Sequence, residues 1–157
     1  MIILDTEVIS EPLRKAPEVG VVEWIDAQPL HTLYLSAVTV AELCFGIAAM
    51  PAGRRRDLLK TRVETRVLPL FTGRVLDFDL AASAAYAEVM AAARAAGKAI
   101  ATADGLIAAT AEAANMSVAT RDTAPFRAAG VRVIDPWGGR SRAFGPQRNN
   151  DFIEDRR

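Results

Sequence analysis

A chain of 157 residues, 51% of them hydrophobic, has the length of one domain and enough apolar side chains to build a core without disulfides or a structural metal. Nineteen Lys and Arg balance nineteen Asp and Glu, which excludes both a highly charged disordered chain and a basic coat that binds nucleic acid by charge alone. Its one cysteine, Cys44, rules out an internal disulfide and a CxxC zinc or redox site, so a reducing compartment is expected.

The amino terminus has no basic leader ahead of its apolar residues, and no run reaches the roughly 18 apolar residues of a membrane span. A cytoplasmic protein without membrane partners is expected. Ile2 to Leu4 is an apolar run, too short for a helix, that stops at Asp5, which predicts a buried parallel strand. Thr6 or Ser10 then caps a short helix. Val21, Val22, Trp24 and Ile25 give Val19 to Ala27 a helical period that breaks at Pro29. Leu33 to Leu35 predicts a second strand, and Ser36 or Thr39 starts a helix over Val38 to Met50 that ends at Pro51-Ala52-Gly53. Arg54 to Val67 repeats Leu58, Leu59 and Val63 among many charges, which predicts an exposed amphipathic helix. Val75, Leu76 and Phe78 form a third strand. Leu80 to Ala96, closed by Gly97, and Ala103 to Ala114, closed near Asn115, are Ala-rich helices. Met116 to Thr120 and Val131 to Ile134 complete the strands. This alternation predicts an α/β fold with a mostly parallel central sheet flanked by helices. From Gly138 the periodicity stops, so residues 138–157 are expected to be a disordered tail. Residues 139–157 hold five Arg and three acids, net +2, against net −2 for residues 1–138; RNA contact is the functional alternative for them.

A carboxylate beside a dense apolar run costs several kcal/mol if buried alone, so acids in such places have a partner or hold a metal. Four fit that description: Asp5 at the end of the first strand, Glu42 within Val38-Thr39-Val40-Ala41-Glu42-Leu43, Asp104 opening a helix as Asp-Gly-Leu-Ile-Ala-Ala, and Asp122 after Ser-Val-Ala-Thr-Arg. In open parallel sheets the crevice lies beyond the carboxyl ends of the strands, where Asp5 and Asp122 should converge and toward which Asp104 can point. Carboxylates with no His or Cys among them make an oxygen-only site, suited to Mg²⁺ or Mn²⁺ rather than zinc. Such a site does phosphoryl chemistry, polarising a phosphate oxygen and activating a water that a spare carboxylate orients. Each acid has a plainer alternative: a helix N-terminal charge for Asp104, a turn former for Asp122, an Arg partner for Glu42. Thr120 either bonds a metal-bound water or phosphate, or packs at a strand end. His31, after Pro29, reads as a solvated turn residue, and Cys44 as a small core residue. Arg54, Arg55, Arg56, Lys60, Arg62 and Arg66 read as a solvated helix face, and are also the best local candidates for phosphate contact.

The segments Ile-Leu-Asp-Thr-Glu-Val-Ile-Ser-Glu-Pro-Leu-Arg at 3–14, Leu-Ser-Ala-Val-Thr-Val-Ala-Glu-Leu at 35–43 with Gly46-Ile47, Ala-Thr-Ala-Asp-Gly-Leu-Ile-Ala-Ala-Thr-Ala at 101–111, and Val-Ala-Thr-Arg-Asp-Thr at 118–123 with Phe126 and Asp135-Pro136-Trp137 resemble PIN-domain proteins of the VapC type, and closely their FitB-like branch. The resemblance spans residues 1–137. It implies a PIN-like three-layer nuclease domain over those residues and a Mg²⁺-dependent endoribonuclease that is the toxin of a type II toxin–antitoxin pair. It makes Asp5, Glu42, Asp104 and Asp122 the catalytic, metal-binding acids. It further implies a homodimer held inactive by a small antitoxin, often with a ribbon-helix-helix DNA-binding part, whose tail wraps the toxin and can place an Arg among the carboxylates. Operator DNA would be reached only through that antitoxin.

Glu7 departs from the pattern, since the family usually has Asn there. A fifth carboxylate either supplies an extra ligand or, by like-charge repulsion, raises a neighbour's pKa and weakens the site. That opens a second reading, a catalytically weakened PIN domain acting mainly as antitoxin-binding partner and co-repressor. A third is a flap- or phosphatase-like hydrolase acting on DNA or small phosphates with similar acids.

Overall fold

The structure, a computed structural model, describes residues 1–138. The expected tail therefore lies, except for Gly138, outside the described residues. Five short strands, β1 (Ile2–Leu4), β2 (Leu33–Ser36), β3 (Val75–Leu76), β4 (Ser117–Ala119) and β5 (Val133–Ile134), form one sheet in the order β3-β2-β1-β4-β5. Every neighbouring pair is parallel, with Ile3 opposite both Tyr34 and Val118.

The strands read as unbroken apolar runs because both faces of the sheet are covered. Leu4, Leu33, Leu35 and Ala119 face one core, with Val8 and Ile9 of α1 (Thr6–Ser10), Val21 and Ile25 of α2 (Val19–Asp26), and Leu43 and Ile47 of α3 (Ala37–Ala48). Ile3 and Val118 face the other, with Ile107, Ala108 and Ala111 of α6 (Thr102–Ala113) and Phe126 of α7 (Thr123–Ala128). Alternate residues of β1 and β4 thus serve opposite cores, and the fold has three layers. Each large apolar side chain so buried contributes about 1.5–3 kcal/mol. The Ala-rich α5 (Leu80–Ala95) lies outside α6. Close approach there needs Gly105, where a Cβ would stand 2.8 Å from the Met90 sulfur and 3.1 Å from the Tyr86 ring.

Strand order sets the place of the cleft. The chain runs outward from β1 to β2 and β3, then crosses back to β4 and β5, so its direction of winding reverses beside β1. At such a switch point the connections leave β1 and β4 on opposite sides, and a crevice opens beyond their carboxyl ends.

Several expectations need correction. The helix expected over Arg54 to Val67 stops as α4 (Arg54–Arg62); the chain then winds through a π turn, Val63–Val67, and a 3₁₀ turn, Leu68–Phe71. Val63, Val67 and Phe71 are buried, so only the first part is an exposed helix. The wider turn brings both valines onto the core, and Pro69, without an N–H, prevents the helix from resuming. Phe78 is outside β3 and packs edge-to-face on Tyr86, ring centroids 6.1 Å apart. Cys44 is exposed, because the buried stripe of α3 runs Thr39, Leu43, Ile47 and leaves the next position outside. Neither Thr6 nor Ser10 caps α1; Asp5 does so itself. Ser36, one of the two candidates, caps α3 by accepting from the Thr39 N–H at 2.9 Å. Gly97 (φ 68°) and Asn115 (φ 52°) close α5 and α6 in the left-handed conformation, as their positions predicted. Among the described residues no helix is long and apolar enough to cross a membrane.

Candidate active site

Asp5 is the first residue after β1 and is only 7% exposed. Its backbone N–H continues the ladder to the Ala119 carbonyl at 2.9 Å, which fixes the residue at the β1–β4 seam. One carboxylate oxygen accepts from the Thr6 N–H at 2.7 Å, and the other accepts from the Thr120 hydroxyl, also at 2.7 Å. Thr120 is fully buried at the end of β4. It packs at the strand end, and its hydroxyl donates to Asp5, with the Asp122 carbonyl 3.4 Å away. Thr6 links a second acid, its hydroxyl donating to Glu42 Oε2 at 2.6 Å. Glu42 is half-buried on α3, so no Arg partner is needed.

Asp104 stands in the first turn of α6, half-buried, while the N-cap position is Ala101, which makes no side-chain cap. Asp122 occupies the N-cap position of α7 but makes no capping hydrogen bond. The contrast is Asp79, which caps α5 by accepting from the Ala82 N–H at 2.9 Å. The turn-former alternative for Asp122 therefore leaves its carboxylate unused. His31 lies in the 3₁₀ turn before β2, at the opposite edge of the sheet, exposed as expected of a turn residue.

These acids act on one another. Burial pushes the Asp5 carboxyl up to about 6, and the nearby charges of Asp104 and Glu42 add to the rise against the two hydrogen bonds that favour its ionised form. Asp104 is also raised, by burial first, then by the charges of Glu42, Asp122 and Glu7. Five carboxylates thus share one electrostatic neighbourhood at the carboxyl edge of β1 and β4. Glu7 belongs to it, though it is exposed and its influence on Asp104 is the smallest of the three charges. Glu11 is more buried than any of them, at 3%, yet lies apart: it accepts from Arg14 at 3.0 Å and from the Glu18 N–H at 2.7 Å, tying down a loop.

The family model described as the PIN domain matches residues 2–131. The chain belongs to the PIN-domain family. Among its relatives is the VapC ribonuclease Y4jK of Sinorhizobium fredii, 60% identical over 137 residues that span 87% of this chain and 98% of the relative. Toxin FitB of Neisseria gonorrhoeae is 52% identical over 137 residues, 87% of this chain and 99% of the relative. The solved structure of FitAB bound to an IR36 DNA fragment superposes with a TM-score of 0.87 at 50% identity, covering 90% of this chain and 99% of that one.

The donor set of this PIN domain fits a hard divalent cation in kind: every candidate is a carboxylate oxygen, and neither His31 nor Cys44 joins them. As placed, no three His, Cys, Asp or Glu side chains among the described residues stand in metal-holding geometry. What the fold supplies is a preset Asp5 surrounded by longer or freer acids. Sequence reasoning missed Thr6 as the link between Asp5 and Glu42; a hydroxyl directly after a strand-ending acid was the available signal.

Thr120→Val should cost about tenfold in activity near neutral pH, because Asp5 loses the hydrogen bond that favours its carboxylate. The acid limb of the pH–rate profile should move upward, and Thr120→Ser should restore it. An unmoved profile in Thr120→Val would leave the hydroxyl with packing alone.

Proposed function

We propose that this PIN domain is a Mg²⁺- or Mn²⁺-dependent endoribonuclease, the toxin of a type II toxin–antitoxin pair acting in the cytoplasm. The observation that carries the reading is the placement of the acids about the switch point of the sheet: Asp5 at the end of β1 and bonded to Thr120, Glu42 joined to it through Thr6, and Asp104 and Asp122 in or before the first turns of α6 and α7. The names of the relatives support it. Asp5, Asp104, Asp122 and Glu42 would hold the ion, which when bound supplies charge to a phosphate oxygen and lowers the pKa of a bound water. Thr6 and Thr120 keep Asp5 in one orientation, so little reorganisation remains for the reaction. Asp122 is exposed and makes no capping bond, so where the ion does not fully use it, its carboxylate would orient the attacking water.

The cognate antitoxin, with a ribbon-helix-helix DNA-binding part, would inhibit a homodimer of this chain and carry it to operator DNA. A groove of ≈ 370 Å³ between α3 and α4 suits the antitoxin tail: Cys44, Ile47, Ala48 and Val63 line it, with the Arg56–Asp57 and Lys60–Glu64 pairs at its rim. Phe45, also on α3, is 73% exposed.

Purified protein should cleave single-stranded RNA in Mg²⁺ or Mn²⁺ and lose that activity in EDTA. A panel of RNA, DNA and a phosphomonoester separates this reading from a phosphatase-like hydrolase; undiminished turnover in EDTA would remove the metal from the mechanism. The weakened-domain reading rests on Glu7 alone, and the relatives' names do not favour it. Since Glu7 is exposed and the weakest of the charges on Asp104, Glu7→Asn should raise cleavage at limiting Mg²⁺ by only about twofold. A gain of many-fold would revive that second reading.

A further inference from the structure

A cleft ringed by carboxylates repels the polyanion it is to cut, so a cation at its rim has work to do. Arg121 stands between Thr120 and Asp122, beyond the carboxyl end of β4, and is exposed. It does not fall onto the acids beside it. Its guanidinium carbon lies 5.6 Å from the centre of the Trp137 ring, and among the described residues the group makes no ion pair or hydrogen bond. Trp137, just past β5, packs against the α1–α3 core, and its backbone N–H donates to Asp135 Oδ1 at 2.9 Å. Packing against that core places the indole at the carboxyl edge of the sheet, the edge at which Asp5 lies.

The other guanidinium over a ring shows what a structural arginine does here. Arg74, 5.5 Å from the Phe71 ring centre, donates to the carbonyls of Leu30, Leu33 and Leu70 and so closes the turns around β2 and β3. Among the described residues Arg121 spends none of its donors. A guanidinium held near a ring by its charge keeps its N–H donors for other partners, and those donors can grip a phosphate with two hydrogen bonds.

We propose that Arg121, positioned by Trp137, binds a backbone phosphate of the RNA next to the scissile bond. The proposal rests on the nuclease reading and adds to it the residue that draws the strand to the acids. Phosphate contacts fix the position of a nucleic acid and carry no sequence information. Arg121 therefore sets affinity and leaves sequence choice to other surfaces.

The test compares Arg121→Gln and Arg121→Lys, each in the full chain and in an Asp104→Asn background that holds RNA uncleaved. With a short fluorescent single-stranded RNA, Arg121→Gln should weaken binding about tenfold and lower the slope of log affinity against log salt by about 0.7, the release for one phosphate contact. Arg121→Lys should keep the slope, and melting temperatures should be unchanged. In the cleaving chain KM should rise by the same factor with kcat within about twofold. An unaltered slope and KM in Arg121→Gln, while the parent cleaves RNA, overturns the proposal and leaves the nuclease reading standing. A slope that Arg121→Lys fails to keep overturns it as well. A parent chain that neither binds nor cleaves RNA overturns the nuclease reading and this proposal with it.

Discussion

Replacing Asp104 with Asn should lower RNA cleavage by on the order of 10³-fold while leaving the fold intact. The carboxylate is half-buried, and among the described residues it makes no hydrogen bond or ion pair that the fold would miss. Burial raises its pKa, and the charges of Glu42, Asp122 and Glu7 raise it further, so its ionised form is opposed by its surroundings. An amide there removes repulsion from three neighbours; against this stands the loss of a charge near the N-terminus of α6, worth about 0.3–1 kcal/mol. The two effects oppose each other, and the melting temperature of the metal-free protein should hardly change. A loss of turnover in a variant that melts like the parent is then chemical. Single-turnover cleavage with a melting curve on the same preparation makes the comparison, and a rate within tenfold of the parent would take Asp104 out of the reaction.

The same acids show what a sequence reveals about a site. Asp5, Glu42, Asp104 and Asp122 could be picked out because ionised groups interrupt apolar runs only at a cost. That logic is sensitive to burial and blind to location. Glu11, more buried than any of them, satisfies the same criterion with a structural answer, an Arg and a backbone N–H. What separated the two kinds of acid was strand order. Asp5 and Asp122 follow strands that are adjacent in space but whose paired residues, such as Ile3 and Val118, are 115 positions apart along the chain, a pairing that periodicity does not encode. The threonines were legible only in part, since a hydroxyl's partner depends on the neighbouring strand, as Thr120 and Asp5 demonstrate.

For the fold, long periodic segments were read correctly and short or rotated ones were not. The helices α5 and α6 matched their expected spans within a residue or two, because alanine favours helix and Gly97 and Asn115 punctuate the ends. The segment after Arg62 failed for a specific reason: Val63 and Val67 are four apart and look helical, but the core requires a wider turn to receive them both. α7 was missed because six residues containing Pro125 show no period.

Asp5→Asn should stabilise the metal-free protein at pH 7 even as it removes activity. The folded carboxyl titrates at about 6 against an ordinary value of 3.8, so the folded state binds this proton more tightly than the unfolded state does. Stability from this group is therefore full below about pH 4, declines as pH rises from about 4 to about 6, and stays lost above that range. A rise of about two pKa units corresponds to on the order of 2–3 kcal/mol. Asn is as good an N-cap as Asp, so the bond to the Thr6 N–H survives, and the Thr120 hydroxyl can turn to accept from the new amide. In EDTA the variant and parent should melt together near pH 4. By pH 7 the variant should melt several degrees higher. Added Mg²⁺ should then raise the parent's melting temperature and leave the variant's nearly unchanged, because a ligand stabilises only the state that binds it. Taking the difference between two proteins at each pH cancels the titration of every other group they share. A difference that does not grow between pH 4 and 7 would mean that Asp5 is not held against its charge. The cleft would then lack the buried, poorly solvated carboxylate whose charge a divalent cation is expected to stabilise.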